Sequence, residues 1–162
     1  MGRAATIVLP LIAAAVAPAV IAVALMALFS GDLTGASAIG LMVFIVAAAH
    51  VLLLGVPVFA FLYWRNWVRW WSLTALGFVA GCIPAGIVFW PPRYEKREYA
   101  SSWQEDGVWT MVDGMPTLAG WLIYGKGIAW FGALGAVAAL AFWFTRTRLM
   151  RSDKSLERTR EE

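Results

Sequence analysis

Four stretches of this chain, roughly 5–29, 36–63, 68–90 and 118–144, are almost uninterrupted hydrocarbon. Nothing else in the sequence restricts the fold as much. About 20 helical residues cross a hydrocarbon core of about 30 Å, and a segment in lipid must satisfy its own backbone polar groups, which a helix does. The expected fold class is therefore all-α, an integral membrane four-helix bundle over 1–145, with a basic, mixed-charge tail over 146–162. Composition agrees: 61% hydrophobic and 14% charged residues is too apolar for a soluble domain, whose apolar share is about 45–50%.

The first run has the look of a leader, with Arg3 before it and Ala36-Ser37-Ala38 after it. Its apolar part is longer than the roughly 7–15 residues of a signal core, so it is expected to stay as a span. The opening Gly2 and Thr6 match an acylation pattern, but one acyl chain adds little to a chain with four spans.

Basic residues set the expected orientation. Nine of the 13 Lys and Arg fall on one side: Arg3, Arg65, Arg69, Arg146, Arg148, Arg151, Lys154, Arg158 and Arg160. The other four are Arg93, Lys96, Arg97 and Lys126. By the positive-inside rule both termini are cytoplasmic and the loop 91–117 is extracytoplasmic. Short loops and the lack of sorting signals favour a bacterial inner membrane. The net charge of +3 thus reports orientation; no basic module for nucleic acid is present.

The connections differ in kind. SGDLTG is a short polar turn with Asp32 as a cap, whereas 91–117 is long enough to expect function in it. Within it, Asp106-Gly107 and Asp113-Gly114 flank the β-prone VWTMV, which predicts a small hairpin at the bundle mouth. A short helix over 94–104 followed by coil is the competing expectation. Pro116 is placed in the first turn of the last helix. Pro10, Pro18, Pro57 and Pro84 are candidate kinks. The pair Gly77 and Gly81, with Gly125, Gly127, Gly132, Gly135 and Ala139, offers small-residue faces for close packing, within the chain or between two copies.

Chemistry is scarce. All ten acids lie outside the apolar runs, which argues against a pump or enzyme built on an intramembrane carboxylate. His50 and Cys82 are each sixteen positions from Asn66. A hairpin about that residue sets them at one depth, where imidazole and thiolate would suit a soft metal or a cofactor, or the thiolate would serve as a nucleophile. The plainer reading gives His50 a carbonyl or hydroxyl on another helix and packs Cys82 as a small apolar residue. With one histidine, a bis-histidine haem needs two copies. No metal or cofactor is expected. Lys126 either snorkels to the headgroups or, at the bundle mouth, meets an acid such as Asp113 or binds an anionic ligand. Glu105, Asp106, Trp109 and Asp113 are the loop's candidate binding residues. No nucleophile elbow, HExxH helix, phosphate loop or EF-hand spacing occurs.

FLYWRNWVRWWS, residues 61–72, is read as an interface anchor. Tyr63, Trp64, Trp67, Trp70 and Trp71 form an inner aromatic belt, with Arg65 and Arg69 among inner-leaflet phosphates. Trp90, Tyr94, Trp121 and Tyr124 form the outer belt. The expected partners are the bilayer and a membrane protein or second copy of this chain. The expected role is non-catalytic: an accessory subunit, assembly factor or protective protein whose outer loop meets its target. A small oligomeric transporter or channel is the alternative, and a membrane enzyme acting on lipid or quinone the third.

Overall fold

A computed structural model describes residues 5–88, 90 and 102–161, with side chains over 7–88, 90 and 102–152. The helices are α1 (Ala5–Ser30), α2 (Leu33–His50), a π-helical turn (Val51–Gly55), α3 (Val56–Trp64), α4 (Trp70–Val88) and α5 (Leu118–Glu161). α2, the π turn and α3 run on as one helix, so four helices are long and apolar enough to cross a membrane: Ile7–Ser30, Leu33–Trp64, Trp70–Val88 and Leu118–Ser152. The chain is built as a multi-pass membrane protein. Residues 146–161 continue α5, whose 44 residues extend about 66 Å at 1.5 Å per residue.

Local sequence explains the ends. Gly31, at φ +67°, closes α1 in the left-handed region that L side chains avoid. Asp32 then caps α2, its carboxylate accepting the Thr34 and Gly35 N–H at 2.9 and 3.0 Å. Inside the second helix, Pro57 has no N–H to give the preceding turn. There the ladder widens, with the Val56 N–H reaching Val51 O. The kink expected at Pro57 takes the form of a π turn.

The third run begins at Trp70 rather than 68 because Trp67–Arg69 is tied into a turn. Ser72 ties it: its hydroxyl accepts the Arg69 N–H at 3.1 Å and lies within donating distance of Trp67 O at 2.6 Å and Arg69 O at 2.9 Å. Ser72 is the one buried polar side chain among the described residues, and Asn66 reverses the chain at φ +56°. Replacing Ser72 with alanine removes this side-chain tie, while the Arg69 N–H keeps Trp67 O at 2.8 Å and Arg69 O keeps the Leu73 N–H at 3.1 Å. It is expected to cost about 1–2 kcal/mol, read as a lower midpoint in mixed-micelle denaturation.

A three-stranded antiparallel sheet amends the all-α expectation: β1 (Trp103–Glu105), β2 (Val108–Val112) and β3 (Met115–Pro116), in the order β1-β2-β3. Both two-residue turns hold Asp and Gly at positive φ, Asp106 +48° and Gly107 +79°, Asp113 +47° and Gly114 +76°. That is the backbone that lets a type I′ turn match strand twist. The predicted hairpin is therefore present, with a third strand added. The helix expected over 94–104 does not reach its end, since Trp103 and Gln104 are in β1; residues 94–101 lie outside those described. Pro116 belongs to β3, and Thr117 caps α5.

α1 packs against α2 and α5, and α4 packs against α5. Glycine makes the closest approaches. A Cβ at Gly77 would stand 2.6 Å from Ala139 Cβ and 2.7 Å from Gly135 O, and one at Gly81 2.5 Å from Phe131 O. The small-residue faces of α4 and α5 are thus used within the chain. Gly125 and Gly127 face open space and take no part. Between α1 and α2 the same service comes from Gly40, whose Cβ would run into the Val23 side chain. The second helix approaches α4 chiefly at the π turn. Ala14, Leu62, Leu73 and Phe142 form a buried cluster at the end that carries the Asn66 turn.

Candidate functional site

Because α2 leans on α1 while α4 leans on α5, the helices leave a space between α2 and α4. This space is a cavity of about 430 Å³, within the size range of small-molecule sites. Every spanning helix contributes: Leu11 and Ala14 from α1, Val46 and His50 from α2, Leu76 and Ala80 from α4, Phe131 and Ala138 from α5. The π turn lends Val51 and Gly55 to the wall. Widening one turn rotates the helix that follows it, so the π turn sets how Val56, Val58 and Phe59 of α3 face the cavity.

His50 lies in this wall, the one side chain there with hydrogen-bonding nitrogen or oxygen. Its Nδ1 is 2.7 Å from Val46 O, one turn back on its own helix. The carbonyl partner expected on another helix is therefore local. Cys82 does not meet it. Its Sγ is 3.7 Å from Ile128 O on α5, and it sits against Gly132 where that residue has no side chain. Equal depth along the helices is not opposed orientation around them. Among the described residues, no three His, Cys, Asp or Glu side chains gather to hold a metal.

The second feature is the sheet. Thr117 staples it to α5: the Thr117 N–H donates to Thr110 O at 3.0 Å, and the hydroxyl donates to Trp109 O at 2.6 Å. The same hydroxyl accepts the Gly120 N–H at 3.2 Å, capping the helix. Gly120 itself lies against the Thr110 carbonyl, with no room for a Cβ. Asp113 N–H donates to Ser102 Oγ at 3.1 Å and Gln104 Nε2 to Gly107 O at 2.8 Å. The sheet is thereby held while Trp103, Val108, Trp109, Val112 and Met115 remain exposed.

The described loop acids do not form one cluster. Glu105 and Asp106 are at the first turn and Asp113 at the second, on either side of the five residues of β2, which extend roughly 17 Å. Asp106 and Asp113 serve the turns through their positive φ. Lys126 is exposed, eight residues into α5, and has no described carboxylate partner, Asp113 included. Glu95, Glu98, Arg93, Lys96, Arg97 and Tyr94 lie outside the described residues.

Both aromatic groups occupy helix ends. Trp64, Trp67, Trp70 and Trp71 are exposed about the Asn66 turn. Arg65 lies over the Trp67 ring at 5.6 Å, Arg69 closes the turn through its backbone, and Arg146 lies over Phe59 at 5.2 Å. At the sheet end Trp90, Trp121 and Tyr124 meet edge to face with centroids 5.5–5.7 Å apart. The Tyr124 hydroxyl donates to Gly86 O at 2.7 Å, joining the end of α4 to the start of α5. Sequence reasoning passed over Ser72, Thr117, Gly120 and Gly40. The signal for Thr117 was a threonine three residues before a glycine at the start of an apolar run; the others required neighbours distant in sequence.

No family model, curated protein or solved structure matches this chain.

Proposed function

We propose that this protein works without catalysis, by binding another protein in or at the membrane through its sheet. The observation that carries the reading is a rigidly stapled sheet whose Trp103, Val108, Trp109, Val112 and Met115 stay exposed. Two of these are tryptophans, and tryptophan is enriched among the residues that dominate binding energy. The backbone around them is already ordered, so association incurs little further loss of entropy.

In this reading the sheet is extracytoplasmic and both termini are cytoplasmic, in the inner membrane of a bacterium. The excess of Arg at the Asn66 turn and in the tail supports the orientation, and Trp and Tyr at both helix ends support membrane interfaces at those depths. The protein is an accessory, assembly or protective component. Use of the glycine faces between α4 and α5 favours a different protein over a second copy as the partner.

A photo-cross-linking residue at position 112 tests this in native membranes. The expected result is a discrete adduct larger than the monomer, absent when the cross-linker is at position 71. A chain that remains a free monomer under every condition would sink the proposal. A transporter or channel reading draws on the π turn beside the cavity. It predicts solute flux in reconstituted vesicles that changes with substitution of His50 or Lys126.

A further inference from the structure

We infer that the cavity between α2 and α4 binds a neutral apolar molecule bearing a hydroxyl group, and that His50 Nε2 accepts the hydrogen bond of that hydroxyl. This goes beyond the sheet and does not depend on its role.

The argument begins with the tautomer. A carbonyl oxygen only accepts, so the 2.7 Å contact between Nδ1 and Val46 O puts the proton on Nδ1. In a neutral imidazole the other nitrogen then carries a lone pair and accepts. Among the described residues nothing donates to it: His50 has the Val46 bond and no other. The other side chains of the cavity wall are hydrocarbon apart from the Met42 thioether, so no side chain there is a competing donor.

Each property excludes a class of occupant. A water molecule needs two to four polar partners to be held in place, and the side chains of this wall offer one. No cation lines the cavity, so a carboxylate or phosphate headgroup would be desolvated without compensation. A plain hydrocarbon would fill the volume and leave Nε2 unsatisfied. A ketone or ether has only acceptors to set against an acceptor. What remains is an apolar body with a hydroxyl, either an isoprenoid alcohol or the phenolic form of a lipid-soluble hydroquinone.

Because the chain has one histidine, labelling histidine with ¹⁵N gives the spectrum of His50 alone. The full chain in nanodiscs is titrated with farnesol and, separately, with farnesyl methyl ether. A second arm uses a geranyl-substituted hydroquinone and its dimethyl ether, which tells the two sources apart. Saturable binding is expected, with the hydroxyl compound of the better arm favoured over its ether roughly fivefold and the Nε2 resonance shifting with the hydroxyl compound alone. In His50→Phe the preference should vanish. In Ala138→Phe, which fills the cavity, saturable binding of both members should vanish. Equal affinity for hydroxyl compound and ether in the wild-type chain overturns the inference, whatever the variants do. So does uptake that never saturates, or an Nε2 resonance that stays put.

Discussion

Replacing Gly81 with alanine is expected to destabilise the contact between α4 and α5 by about 1–3 kcal/mol, and leucine at the same position to separate the helices. In lipid no hydrophobic force draws helices together. Their attraction comes from close van der Waals contact, which glycine permits. At Gly81 the new Cβ would meet the Phe131 carbonyl at 2.5 Å and Gly132 Cα at 3.2 Å. Both are backbone, so no side-chain rotation relieves the clash and the helix axes must move. The same shift weakens the Gly77 and Gly135 contact and the fit of Cys82 against Gly132. Gly125→Ala and Gly127→Ala are the controls. Their Cβ atoms meet nothing within 4 Å, so higher helix propensity leaves them neutral or stabilising by up to about 1 kcal/mol. Mixed-micelle denaturation checks both signs. If Gly81→Ala matched Gly125→Ala, the packing of α4 on α5 described above would be wrong.

The second large effect concerns the partner. Trp109→Ala is expected to weaken capture of the cross-linked partner by about 2 kcal/mol, roughly 30-fold. The residue is half exposed, at 51%, and lies on the strand that the Thr117 staple holds. The staple uses the Trp109 carbonyl rather than its indole, so truncation removes the ring while the sheet stays in place. Trp70→Ala, at the opposite helix end, should leave capture unchanged. Titrating partner-containing membranes against the purified variants and quantifying the adduct measures the difference. An unaltered yield for Trp109→Ala would take the binding surface away from β2.

Several features were legible because the rule behind them is local. Asp-Gly twice, flanking alternating β-prone residues, specifies two type I′ turns, and both formed. Asp32 after a left-handed glycine specifies a cap. Pro57 specifies a break in the hydrogen-bond ladder, although its form, a π turn whose Val51 and Gly55 line a cavity, depends on the neighbouring helices. The pairing of His50 with Cys82 was not legible. Sixteen residues from a turn gives depth, whereas the direction of a side chain around its helix requires a signal of sidedness. Soluble helices provide one through their apolar stripe. Here both the packed and the lipid-facing sides are hydrocarbon, and the spans carry almost none.

The sequence by itself therefore determined the number of long apolar helices, the turns between strands and the ends where aromatic and basic residues collect. Each follows from backbone satisfaction in lipid or from the φ preferences of a few residues. Tertiary structure alone decided which faces meet. Gly77, Gly81, Gly132 and Gly135 close α4 onto α5, Cys82 turns to Ile128, and His50 is left in the wall of the space that α2 and α4 do not fill. In a solvent as apolar as the core, shape rather than hydrophobicity chooses the partner, and shape exists only once the helices are side by side.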